Sequence, residues 1–138
     1  MKARLFLPIL SVFALGAGSA LAHHSFAIYE RGRTITLSGT VKEFVWASPH
    51  VTIQVLTANA KNGAGTWSIA GTSPPVLARG GWTSTSLRRG DKVALGIHPR
   101  RDGGAGGLLA DEQQVIVNGL PARDILFLQS AGENSSDR

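Results

Sequence analysis

From Thr34 onward the chain sets apolar residues against polar ones with a period of two, and that alternation limits the fold more than any other feature. Ile35, Leu37, Gly39 and Val41 alternate with Thr36, Ser38, Thr40 and Lys42, the pattern of a strand with one buried and one wet face. The run continues through Phe44, Val45 and Trp46 with the alternation slipped by one, so a bulge or bend is expected near Gly39 or Glu43. Ser48-Pro49 breaks it. His50 opens a second alternating run through Val51, Ile53 and Val55, and the turn formers from Asn59 to Gly65 lead to a third, Thr66 to Ala70, with Trp67 and Ile69 on one face. Ser73-Pro74-Pro75 followed by Val76, Leu77 and Arg79 reads as a short helix. Ser73 would supply the cap oxygen, proline suits the first helical position, Val76 and Leu77 would pack on the sheet, and Gly80-Gly81 stops it.

Leu87 to Asp91 turns into a fourth strand marked by Val93, Leu95 and Ile97. Asp102 to Gly107 holds four glycines and reads as a flexible hairpin loop, and a fifth, less regular strand covers about Leu108 to Val117 before Asn118-Gly119. Three meandering strands, one short helix and a two-strand hairpin is the element order of a five-stranded OB-like Greek-key barrel. The expected fold class is therefore all-β with one short helix. A long, bent first strand pairing on both sides would close the barrel; a small open sheet or sandwich is the competing arrangement.

The first 22 residues differ from the rest. Lys2 and Arg4, the apolar run Leu5 to Leu15, and small residues ending in Ala20-Leu21-Ala22 follow the order of a cleavable secretory signal. The apolar run is 11 residues long, whereas a membrane span needs about 20. Cleavage after Ala22 would make His23 the mature terminus and place the protein in the periplasm or outside the cell. Residues 23–131 would then form one barrel domain and 132–138 a polar, disordered tail. The 116 residues left from 138 suffice for one core and not for two. With Lys2 and Arg4 gone, the net charge of +5 falls to +3, a mild excess that argues against nucleic acid as the partner. There is no cysteine, which excludes disulfides and an anchor through an acylated thiol.

Several short segments stand in a recognisable order: His23-His24-Ser25-Phe26, Gly39-Thr40-Val41, Trp46-Ala47-Ser48-Pro49-His50, Arg79-Gly80-Gly81-Trp82 and Leu87-Arg88-Arg89-Gly90-Asp91. Together, from His23 to about Gly119, they resemble a family of small secreted bacterial proteins known as domain of unknown function 6152. The resemblance implies a secreted β-domain and no defined activity. Ser48 departs from the family pattern, which has asparagine before the proline.

Histidine carries the most chemical information. His23 and His24 would stand at the mature terminus, His50 follows Pro49, and His98 precedes Pro99 at the end of the fourth strand. Neutral imidazole is the commonest protein ligand for copper and zinc. An N-terminal histidine can hold one copper ion through its amine and ring Nδ1, with a second imidazole completing a brace. Otherwise His23 and His24 are solvated terminal residues, and His50 and His98 are turn residues bonded to backbone. In an OB barrel His50 lies by the far end of the first strand and His98 by its start, too far apart to share an ion. The stretch from His23 to Arg33 could run back along that strand for about 30 Å to His50, or turn locally to His98.

Other candidates are Trp46, Trp67 and Trp82, which could form a stacking face for sugars or bases or simply fill the core, and the pairs Arg88-Arg89 and Arg100-Arg101, which flank turns and could meet phosphates or lipid headgroups or be solvated loop tips. Asp111 and Glu112 are adjacent, so on a strand they would face opposite sides. No nucleophile elbow, phosphate-cradling loop or zinc-protease motif occurs. The leading functional expectation is an exported, non-catalytic binding module for a metal ion or small polar ligand, with copper as the candidate cofactor. The alternative is a barrel that binds an oligosaccharide, peptide or protein through its aromatic face, the histidines being structural.

Overall fold

The computed structural model describes residues 26–58 and 65–124. Its elements are β1 (Ile35–Val45), β2 (Thr52–Thr57), β3 (Gly65–Ala70), α1 (Pro74–Arg79), β4 (Lys92–Pro99) and β5 (Gly106–Leu109), then a 3-10 turn (Glu112–Gln114) and the small strands β6 (Ile116–Val117) and β7 (Leu120–Pro121). The strand order is β1-β2-β3-β5-β4, and β4 pairs back onto β1 to close a five-stranded barrel of OB type. All ladders of the barrel are antiparallel except β3–β5.

Closure depends on β1 serving two partners. Ile35 to Thr40 pair with β4 and Thr40 to Val45 with β2, so the strand changes neighbour at Thr40. Gly39 stands at that crossing, where a Cβ would lie 2.3 Å from the Leu56 carbonyl oxygen and 2.6 Å from Val55 Cγ1; only glycine lets the backbones come so close. The expected slip is a bulge between Val41 and Glu43, with Lys42 left without a partner in the ladder. It puts Val41 into the core and turns Phe44 inward two registers later. The inward positions of β1 to β4, among them Leu37, Ile53, Val55, Ile69, Leu95 and Ile97, make the core.

Three local expectations change. Ser73 does not cap α1 with its side chain: Pro74 and Pro75 have no N–H, and the first available amides, on Val76 and Leu77, donate to the Ser73 carbonyl at 3.0 and 3.1 Å. Only Leu77 packs inward, at 2% exposure against 37% for Val76, because a helix of six residues has room for one inward position. The fifth strand is Gly106–Leu109 and does not run to Val117. The Asp111 carboxylate accepts from the Gln113 amide at 2.8 Å and from Gln114 Nε2 at 2.9 Å, which turns the chain into the 3-10 segment. Two of the expected loop glycines belong to the ladder instead; at Gly107 a Cβ would lie 2.8 Å from Ile97 Cδ1. Among the described residues no helix is long and apolar enough to cross a membrane.

Candidate functional site

The rim where β2 begins, β3 ends and the end of β4 pairs with β5 gathers the residues of interest. Thr52 pairs with Ala70, Ala70 with Leu108, and Leu108 with His98. His50, two residues before Thr52, and His98 thus belong to one rim, although they are at opposite ends of β1. Three inter-strand steps of about 4.8 Å still separate their columns by about 14 Å of arc, too wide for two nitrogens on one ion.

A strap formed by residues 26–34 crosses this rim, and it neither runs back along β1 nor stops at His98. The Glu30 amide donates to the Pro99 carbonyl at 2.9 Å, Tyr29 bridges to Arg100, and Arg101 donates from its amide to Ile28 (2.8 Å) and from Nε to Ala27 (3.0 Å). At its far end the Phe26 ring meets the His50 ring edge-on, 4.9 Å between centroids. The chain therefore passes His98 and arrives at His50.

The two described histidines differ in what their nitrogens do. His98 Nδ1 lies 2.9 Å from the Arg33 carbonyl oxygen and 3.4 Å from Thr34 Oγ1. Since a carbonyl only accepts, Nδ1 carries the hydrogen and donates it to the strap. His50 Nδ1 is buried and has no hydrogen-bond partner among the described residues. An orphaned buried polar atom costs about 1–3 kcal/mol, so it asks for a partner. His23 and His24 lie outside the described residues, as do the expected signal segment and the tail. Among the described residues no three His, Cys, Asp or Glu side chains cluster as metal ligands.

The other sequence candidates have structural work. Trp67 and Trp82 are 8% and 4% exposed and lie in the core, so they present no stacking face to solvent. Trp46 packs against that core beside Phe44, whose ring lies 5.8 Å from Trp46 and 6.3 Å from Trp82. Arg100 is held by Asp102 through two hydrogen bonds, Nε to Oδ1 at 2.9 Å and Nη2 to Oδ2, and Oδ1 also accepts from the Gly104 amide. The Arg100 hydrogen bond, then the Gly104 amide, holds the Asp102 carboxyl well below the ordinary carboxylate range, and Asp102 raises Arg100 in turn. Arg100 thereby shapes the β4–β5 turn that carries the strap. Sequence reasoning missed Arg101 as the strap's anchor. It also missed the strap residues Phe26 and Arg31 as rim residues, and only Phe26 had stood in a quoted motif.

The model of the family described as "Family of unknown function (DUF6152)" matches residues 12–112. The chain belongs to this family. No curated protein matches the sequence. Among solved structures, the barrel is similar to the mitochondrial single-stranded DNA binding protein Rim1 from S. cerevisiae, at 10% identity and a TM-score of 0.43, over 62% of this chain and 92% of that one. It is also similar to part of TiaS in a complex with transfer RNA and ATP, at 21% identity and 0.44, over 62% of this chain and 18% of that one. A ZRD-deleted TiaS mutant with agmatine gives 21% identity and 0.45, over 64% and 22%. At such scores these likenesses say nothing about what this family member binds.

Proposed function

We propose that this family member is an exported, non-catalytic binding module whose ligand is copper or another transition metal, held where the strap meets His50. The ligands in this reading are the amine and ring of His23, exposed as a mature terminus by cleavage after Ala22, together with the His50 imidazole. The observation that carries it is the pairing of Phe26 with His50 while His50 Nδ1 is buried and unpartnered among the described residues. Position 23 is three residue steps from Phe26, a reach of at most about 11 Å. His98 Nδ1 is held by the strap carbonyl, which leaves its Nε2 as the ring's ligating atom; His50 is preferred because the end of the strap meets its ring, and His98 then orients the segment that carries the terminus. His24 is a spare donor beside His23.

The test is a Cu(II) titration of protein isolated from the cell envelope, with its first residue fixed by intact mass. One ion should bind per chain, His50→Ala should loosen it, and a single residue added before His23 should abolish the site with the fold intact. A terminal His-His pair binds copper weakly on its own. Equal affinity in the parent, His50→Ala and the extended protein therefore rejects the reading.

A further inference from the structure

Phe26 also lines an open cleft of about 360 Å³ between strap and barrel, shared with Leu108 and Leu109 of β5, Gly71 and Thr72 after β3, Arg31 of the strap and Glu112 of the 3-10 turn. That volume lies at the lower end of the ~300–1,000 Å³ typical of small-molecule sites, which combine apolar walls with a few convergent polar groups. Charged side chains nearby have partners: Arg33 pairs with Glu30, Arg100 with Asp102, Arg101 donates to the Ala27 carbonyl, and Asp111 caps the 3-10 turn. Arg31 and Glu112 are the exceptions. They face one cleft with opposite charges, no ion pair joins them, and among the described residues neither side chain has a hydrogen-bonding or charged partner.

We infer that this cleft binds a small apolar zwitterion of the amino-acid or short-peptide class. The carboxylate meets the Arg31 guanidinium, which accepts planar anions through two parallel N–H donors. The ammonium meets the Glu112 carboxylate, and the apolar body lies against Phe26, Leu108 and Leu109. Selectivity follows from the two charges together, since a ligand with only one leaves the other protein charge unmatched. The site shares Phe26 with the proposed metal site but requires no metal.

The test is an amide chemical-shift titration of chelator-treated, metal-free protein with L-phenylalanine, phenethylamine and 3-phenylpropanoate. L-Phenylalanine should give saturable shifts centred on Thr72, Leu108, Leu109 and Glu112, and each singly charged analogue should bind about tenfold more weakly. Arg31→Gln should erase the preference over phenethylamine, and Glu112→Gln the preference over 3-phenylpropanoate. Both positions are at the surface or half-buried, so an unchanged spectrum elsewhere checks that each variant folds. Absence of saturable shifts at millimolar probe, or equal binding of all three probes, overturns the inference. So does binding seen only after the residues before Phe26 are removed, which would assign the cleft to the chain's own terminal segment. Because the titration is free of metal, a failed copper titration does not touch it.

Discussion

The Phe26 ring stands edge-on to His50, 4.9 Å between centroids and 71° between planes, although 23 residues lie between them in the sequence. An aromatic pair of this geometry contributes about 1 kcal/mol beyond the area it buries. Phe26→Ala should therefore release the end of the strap. The Arg101 amide, which donates to Ile28, should exchange its hydrogen about fivefold faster, that ~1 kcal/mol expressed as an opening equilibrium. Unchanged exchange would mean that the hydrogen bonds of Arg101 alone fix the strap.

His50 and His98 should separate into two roles. His98→Ala removes the donor to the Arg33 carbonyl and should cost about 1 kcal/mol in denaturant unfolding, with copper affinity nearly preserved. His50→Ala should do the reverse, lowering copper affinity with little net change in stability, because loss of the Phe26 ring contact is offset by removal of the buried, unpartnered Nδ1. If His98→Ala is the variant that loses copper, the second imidazole of the brace has been assigned to the wrong strand.

The crossing at Gly39 is a packing prediction free of any functional reading. Gly39→Ala drives a methyl group into the Leu56 carbonyl and Val55 and should destabilise the barrel by about 3 kcal/mol, the upper part of the range for overpacking. Gly32→Ala, with nothing within 4 Å of the added carbon, should stay within about 0.5 kcal/mol of the parent. Urea midpoints of the two variants check the contrast.

Acid should act on the β4–β5 turn late. The Asp102 carboxyl is held down by Arg100 and the Gly104 amide, so its contribution is full above the ordinary carboxylate value of about 3.9 and fades as pH falls through the lower folded value. The side chain is exposed, so the effect is small. A carbon-detected NMR titration should show Asp102 as one of the last carboxyls to protonate. Asp102→Asn should be less stable than the parent at neutral pH, and the gap should close in strong acid. A titration in the ordinary range would show that the pair with Arg100 does not persist in solution.

The sequence by itself determined the first four strands, the short helix between the third and fourth, and their order along the chain, because these follow from local patterns: a period of two in β1, β2 and β4, proline at the start of α1, glycine after it; closure of the barrel by β4 on β1 was decided by the tertiary structure. It also reached the family through short ordered motifs. It missed the end of β5, where the Asp111 carboxylate takes backbone amides that strand pairing would have used, and it left open whether the tryptophans pack or stack. Burial of Trp67 and Trp82 depends on which faces meet inside the closed barrel. Nor could the period of any strand show that His50 shares a rim with His98, since that follows from the register of three successive ladders, Thr52 to Ala70 to Leu108 to His98. Only the tertiary structure decided that the strap crosses this rim to put Phe26 on His50 and to bring Arg31 and Glu112 to one cleft. Those contacts join residues far apart in the chain, and local propensity has no access to them.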